Sequence, residues 1–391
     1  MPKLPINTFT DFITYVENEI NQCDNPNVTN TSLNLQNNKG FTILMLASRY
    51  SNSCNSLEII KKLIKSGANI NIQTNNGWTA LMLASRYSNS ESLFETVKLL
   101  IDSGANINIQ NNNGWTALMM ASRHLNSESS FETVKLLIDS GANIDIQNEH
   151  GWTALTFASR YSNSKSSLKT VKLLIDSGAN IDIQNENGWT ALHMASRYSN
   201  SESSLETVKL LIDSGANINI QNEYGLTALM LASRSSYSTS SLETVKLLID
   251  SGANINIQNN NRWTALMMAS RYSYSTSSLE TVKLLIDSGA NINIQNEYGW
   301  SALMMASKSS YSTSSLETVK LLIDSGANIN IQNRHGLTCL DYIYLFKSSN
   351  HIKNYLKNIS EFEKNTNILL WCAIRVNKKT TTHDIIKFIR V

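Results

Sequence analysis

GWTALHMASRYSNSESSLETVKLLIDSGANINIQN, residues 188–222, decides how this chain folds. In TALHMAS (Thr190 to Ser196), Leu192 and Ala195 stand three apart with Ala191 and Met194 beside them, which predicts a short helix with one closely packing face. The polar stretch RYSNSESS interrupts that pattern. A second helix then opens with Ser203 and Glu206 in the S-x-x-E relation of a capping box. Leu205, Val208, Leu211 and Ile212 follow at helical spacing, flanked by Leu210, and Gly215 marks the end, where a left-handed residue is commonly needed. Asn-Ile-Asn-Ile-Gln-Asn is too short and polar for a buried strand and reads as a hairpin-like turn into the next helix.

The same wording opens at Gly77, Gly114, Gly151, Gly188, Gly225 and Gly299, in weaker form at Gly40 and Gly336, and with Arg262 in place of the glycine. All nine starts are 37 residues apart. One helix–loop–helix–turn unit cannot bury its own apolar faces, so it must stack on its copies. The period predicts an all-α solenoid of nine units over residues 40–365. Residues 1–39 read as a degenerate half-unit capping the stack, with Phe9, Phe12, Ile13, Val16 and Ile20 on one stripe and Thr8 and Asp11 in capping-box relation. Residues 366–391 read as a worn tenth helix pair: Ile368–Ala373 resembles a first helix, and Thr381, Asp384, Ile386 and Phe388 match second-helix places. A separate partner-docking tail is the competing reading of that end.

Charge is balanced, with 33 basic against 31 acidic residues and a formal net charge of +2. Such balance predicts no strong long-range pull toward nucleic acid or an anionic membrane. Cys23, Cys54, Cys339 and Cys372 are scattered without CxxC spacing, which suits reduced thiols. MPKLPINTFTDF lacks the apolar core of a signal peptide, and the longest apolar run, Ile368 to Ile374, is too short to span a bilayer. The expectation is a soluble, intracellular, cytoplasmic protein that is monomeric and holds no cofactor.

GWTALHMAS and VKLLIDSGANI resemble the ankyrin repeat family, whose pattern runs G-x-T-P-L-H-x-A and then L-L-x-x-G-A. The likeness covers about residues 33–360. Two departures stand out. The family proline is alanine at Ala80, Ala117, Ala154, Ala191, Ala228, Ala265 and Ala302, and the unit is longer than the family's roughly 33 residues. The extra residues fall in the loop between the helices, where length costs little. The Asn-, Ile- and Ser-rich wording is similar to ankyrin proteins of giant DNA viruses of amoebae, which would place the protein in a host cell.

Catalysis needs a nucleophile, an acid/base pair or a metal set in fixed geometry. The six histidines occupy unrelated phases: His193 at the structural position of the family motif, His150 and His335 on turn tips, His124 in place of a tyrosine, His351 and His383 near the end. No Gly-rich phosphate loop occurs. The chain therefore reads as a non-enzymatic scaffold. The resemblance places the binding surface on the inner, concave face, made of turn tips and the exposed ends of the first helices. There Trp recurs at Trp78, Trp115, Trp152, Trp189, Trp263 and Trp300, with Phe41, Leu226 and Leu337 filling the gaps. Arg recurs at Arg49, Arg86, Arg123, Arg160, Arg197, Arg234 and Arg271, ending in Lys308, with Tyr50, Tyr87, Tyr161, Tyr198 and Tyr272 beside it.

Trp, Tyr and Arg are enriched at binding hot spots, and a guanidinium forks carboxylates and phosphates. The expected ligand is another protein, extended or acidic. Three structural readings compete: the Trp rings pack under the next turn, the Arg are neutralised by Glu149, Glu186, Glu223 and Glu297, or duplication alone copied the ladders. Two further functions stay open. One is a polyanion or nucleic-acid binder through the Arg ladder, which the near-neutral total disfavours. The other is a substrate-recruiting adaptor docking on a ubiquitin ligase through its last residues, although no Leu-Pro signature occurs there.

Overall fold

A computed structural model describes residues 33–50, 56–87, 91–123, 128–162, 164–199, 202–234, 239–272, 276–308, 313–345 and 350–376. Among these residues there are eighteen helices and no strand. The chain divides into two compact units, residues 1–228 and 229–391. The first holds helix pairs α1 (Ile43–Arg49) and α2 (Ser56–Lys65), α3 (Ala80–Arg86) and α4 (Glu91–Asp102), α5 (Ala117–Arg123) and α6 (Glu128–Asp139), α7 (Ala154–Arg160) and α8 (Lys165–Asp176), and α9 (Ala191–Arg197) and α10 (Glu202–Asp213). The second holds α11 (Ala228–Arg234), α12 (Thr239–Asp250), α13 (Ala265–Arg271), α14 (Thr276–Asp287), α15 (Ala302–Lys308), α16 (Thr313–Asp324), α17 (Cys339–Leu345) and α18 (Asn350–Val376). The predicted all-α repeat solenoid is what forms.

A threonine precedes each seven-residue first helix except α15, where Ser301 takes its place. Thr190 Oγ1 accepts from the His193 amide at 3.3 Å, and the His193 ring nitrogen Nδ1 receives the Thr190 amide at 3.2 Å. The same box closes through Met45, Thr156 and Asp341 in other units. This cap fixes the helix start where the family proline is missing. Burial then goes further than the sequence suggests. In α5, every residue from Ala117 to Ser122 is buried, because α5 lies between α3 and α7 and against α6. Ala117 and Ala121 of α5, and their counterparts in α3, α7, α9, α11, α13 and α15, let these backbones approach.

The second helices differ from the sequence reading in two respects. Ser203 lies inside α10, which begins at Glu202. In the equivalent α8 the cap is Ser164, whose side chain accepts from the Ser167 amide, so the cap comes earlier than the capping-box spacing implies. The buried stripe is also shifted by one residue. Ser204, Thr207, Val208 and Leu211 are buried, whereas Leu205 and Ile212 are half-buried. Two of the four inward positions are polar, so an apolar count lands on the wrong row. Ser204 Oγ donates to the Ser162 carbonyl of the preceding unit at 3.1 Å.

Gly215 ends α10 with φ +93°, letting the Ala216 amide reach the Leu211 carbonyl at 3.0 Å. The hairpin-like turn forms as read. The Asn185 amide donates to the Trp189 carbonyl at 3.0 Å, the Gly188 amide donates to the Asn185 carbonyl at 2.8 Å, and Asn185 Oδ1 accepts from the Asn187 and Trp189 amides. Neighbouring hairpins are then tied together. Gln147 Nε2 donates to Gly151 O of its own hairpin at 2.8 Å and to Gln184 O of the next at 3.1 Å.

At the chain end the structure departs from the expected tenth pair. Residues 350–376 form one helix, and the boundary placed between 365 and 366 falls inside it. This stretch contains neither the Ser-Gly-Ala stop of the other second helices nor any proline, so Ile368–Ala373 continue α18 instead of opening a new first helix. The remainder of that expected pair, and the expected cap helix of residues 1–32, lie outside the described residues.

Arg262 occupies the hairpin glycine position at φ +60°, a left-handed conformation unfavourable for a side-chain-bearing residue. Arg262→Gly should raise the stability of the chain by about 1 kcal/mol in urea denaturation, with part of the relief offset by a freer unfolded state. Gly188→Ala should do the reverse, since its new Cβ would sit 2.8 Å from the Asn222 Cα at φ +75°. Equal or opposite shifts would refute the strain assigned to this position.

Candidate functional site

The cap and the hairpin together place the candidate residues. Each Trp follows the hairpin glycine (Arg262 before Trp263) and takes its backbone partners from the turn Asn, or from Thr74 at Trp78. Each Arg and Tyr close the first helix, at its last residue and its C-cap. The spacing between Trp and Arg therefore spans one helix, and the two side chains meet across its exposed end.

In the first unit, Arg86 Cζ lies 5.4 Å from the centroids of both Trp78 and Tyr87. Arg123 lies 5.4 Å from Trp115, and Arg197 lies 5.2 Å from Trp189. Each tyrosine also meets the arginine of the preceding repeat: Tyr87 is 5.9 Å from Arg49, Tyr161 is 5.9 Å from Arg123, and Tyr198 is 5.3 Å from Arg160. Arg160 lies 5.4 Å from Tyr161, Arg197 lies 5.5 Å from Tyr198, and Arg49 lies 5.2 Å from Tyr50. Arginine and tyrosine thus alternate from Arg49 to Arg86 and again from Arg123 to Arg197, with His124 in the tyrosine place between the two runs. The second unit repeats this with Arg234 and Arg271 both on Tyr272, Arg271 on Trp263, and Lys308 on Trp300. Such contacts at exposed sites contribute roughly 0.5–1 kcal/mol each and hold the guanidinium planes in place.

Not every sequence-derived residue is equally available. Trp189 is 8% exposed and edge-on to His193 at 5.9 Å, so it packs and leaves little ring for a partner. Trp152 and Trp115 both lean on Phe157, at 5.9 and 4.4 Å, and Trp300 meets Tyr342 at 4.2 Å. Phe157 and Tyr342 escaped the sequence reading because each occurs once, out of the ladder wording. At Glu149 and Glu186 the partners seen among the described residues are not arginines. Glu149 accepts from Asn113 Nδ2 at 2.6 Å and lies 3.5 Å from His150, which also approaches Glu186 at 3.7 Å. Among the described residues, Arg86, Arg123, Arg160 and Arg197 have no carboxylate within ion-pair range.

His193 is buried and its ring is held at both nitrogens. Nδ1 faces Thr190 Oγ1 at 2.9 Å, and Nε2 faces the Leu226 carbonyl at 3.0 Å. Burial pushes its pKa below the usual histidine range, against the opposing pull of the Leu226 and Ile220 carbonyls. A neutral ring donating from Nε2 and accepting at Nδ1 satisfies both sides. No cluster of three or more His, Cys, Asp or Glu side chains among the described residues is arranged to hold a metal ion. No described helix is long and apolar enough to cross a membrane.

A family model described as ankyrin repeats (three copies) matches residues 16–110, 88–184, 161–259 and 237–333. No curated protein matches the chain.

The His193 geometry fixes a pH dependence. Below about pH 6.5, the ordinary histidine pKa, the unfolded chain takes up a proton that the folded ring refuses, so stability falls as pH drops toward the lowered folded pKa. Methionine fills the equivalent place at Met230, Met267 and Met304. His193→Met should therefore gain on the wild type between pH 7 and 5.5 in chemical denaturation. A difference independent of pH would show that the buried ring does not control this slope.

Proposed function

The chain belongs to the ankyrin repeat family, and we propose that it is a non-enzymatic scaffold that binds another protein along the Trp/Arg/Tyr face of its first-helix ends. Ankyrin repeats generally serve protein–protein interaction, and the fold is typically non-enzymatic. One observation carries the assignment to this face. Arg86, Arg123, Arg160 and Arg197 are each held by aromatic rings, without a carboxylate of their own chain among the described residues. Each guanidinium keeps a planar fork of N–H donors available to an outside acceptor.

The expected ligand is extended, because an Arg–Tyr contact joins successive repeats at Arg49–Tyr87, Arg123–Tyr161 and Arg160–Tyr198 in the first unit and at Arg234–Tyr272 in the second. Affinity on such a surface comes from bidentate contacts to partner carboxylates and from stacking on the exposed parts of Trp78 and Tyr87. The preset rings reduce the ordering cost of long Arg side chains.

The test is capture of partners from cell lysate by the wild-type chain and by Arg86→Ala/Arg123→Ala/Arg160→Ala/Arg197→Ala, both checked by circular dichroism. Loss of the captured proteins from the folded variant is the expected result. Retention of the same proteins would remove this face from consideration. A nucleic-acid ligand in place of a protein would show as affinity falling steeply with salt.

A further inference from the structure

The arginine ladder is nearly uniform, but within the first unit the hairpin tips are not. The first three tips are Asn38-Lys39, Asn75-Asn76 and Asn112-Asn113, and the next three are Glu149-His150, Glu186-Asn187 and Glu223-Tyr224. All six occupy the same place, because each tip amide bonds the preceding tip's carbonyl, as Asn112 N does to Asn76 O and Glu186 N to His150 O. A cleft of about 490 Å³ opens between the first two tips and the helix ends behind them. Lys39, Phe41, Arg49, Trp78, Arg86 and Tyr87 contribute to its wall, and no carboxylate does. Further along the same unit, Arg160 and Arg197 share their face with Glu149 and Glu186, whose side chains are 41% and 61% exposed.

From this asymmetry we propose that the partner is a bipolar protein segment. The part lying over residues 38–87 carries carboxylates, seated against Arg49 and Arg86, with an apolar side chain against Phe41 and Trp78. The part lying over residues 149–198 carries none. This inference rests on the binding role of the face and adds its register. A uniform ladder would accept an acidic segment at any of several offsets. The glutamate tips penalise every offset that lays carboxylates over Glu149, Glu186 or Glu223, because like charges then face each other, and Lys39 with the cleft beside it favours the 38–87 end among the offsets left. A long polyanion is disfavoured for the same reason, since it would have to cross Glu149, Glu186 and Glu223.

The test titrates the full chain, by fluorescence anisotropy, into a labelled peptide of alternating Glu and Phe, a Lys/Phe peptide of equal length, and an oligothymidylate. Asn75→Glu/Asn112→Glu places on the early tips the residue that Glu149 and Glu186 already carry in this fold; it gives up the bonds from Asn75 Nδ2 to Asn38 O and from Asn112 Nδ2 to Asn75 O, so the variant's fold is checked by circular dichroism. The wild type should bind the Glu/Phe peptide and not the Lys/Phe peptide. The Glu-tip variant should bind it about tenfold or more weakly, and Glu149→Asn/Glu186→Asn more tightly. The proposal is overturned if the Glu/Phe peptide does not bind the wild type, if the Glu-tip variant binds it equally, or if oligothymidylate binds better. Lysate partners lost by Arg160→Ala/Arg197→Ala but kept by the Glu-tip variant would overturn the register and leave the face intact. Partners kept by both would overturn the face itself.

Discussion

Within each compact unit, neighbouring hairpins are tied by side-chain carboxamides, glutamine foremost. Gln110 Nε2 donates to Gly114 O at 2.7 Å and to Gln147 O at 3.1 Å, and Gln147 repeats the pattern one unit on. A second tie runs beside it, where Asn108 Oδ1 accepts from the Asn143 amide at 2.8 Å and its Nδ2 donates to Gly141 O at 3.3 Å. These bonds hold hairpin against hairpin at a fixed spacing. That spacing lets the alanine-bearing first helices close on one another, and it aligns their Arg ends into a row. Each bond is worth only about 1 kcal/mol net, but the stack is a sum of nearest-neighbour terms, so small contributions of this kind add up from repeat to repeat within each unit.

Much of this could be read from the sequence because the period is strict. Gly, Trp, Thr and the second-helix Gly-Ala recur at fixed places, and only a stack satisfies all copies at once. The details that were missed share one cause, which is polar residues in structural roles. Thr207 and Ser204 lie on the inward row of α10, so counting apolar residues shifted the buried stripe by one. Gln recurs at 36, 73, 110, 147, 184, 221, 258, 295 and 332 as faithfully as Trp does, yet a polar residue in a turn reads as solvated unless its neighbours in space are known. Asp145 and Asp182 stand at the Asn108 position and keep its acceptor role toward Asn180 and Asn217. A carboxylate lacks the amide hydrogens that Asn108 donates, so those two ties have half the bonding.

For the surface, repetition and variation carry different information. Trp189 packs on His193 and Trp115 on Phe157, so these two rings serve the fold as well as any binding face. The arginine–tyrosine alternation is less constrained by packing, since it stands at the helix ends where side chains meet solvent. The tips vary most while their backbone bonds remain constant, as expected of positions where the fold tolerates any polar residue. Sequence alone could show that the tips differ. It could not show that Asn75, Asn76, Arg49 and Arg86 wall one cleft, because they come from different repeats.

The most direct measurement of the stacking constraint is residue-resolved amide hydrogen exchange at the hairpin tips. The amides of Glu149, Glu186 and Glu223 belong to exposed residues, yet they bond to the carbonyls of Asn113, His150 and Asn187 at 3.0, 3.2 and 3.0 Å. If these ties hold the stack together, the three amides exchange as slowly as those of the adjoining first helices and open together with them. Exchange at the rate of an unstructured peptide, with the helices still protected, would contradict the ladder as the element that sets the fold.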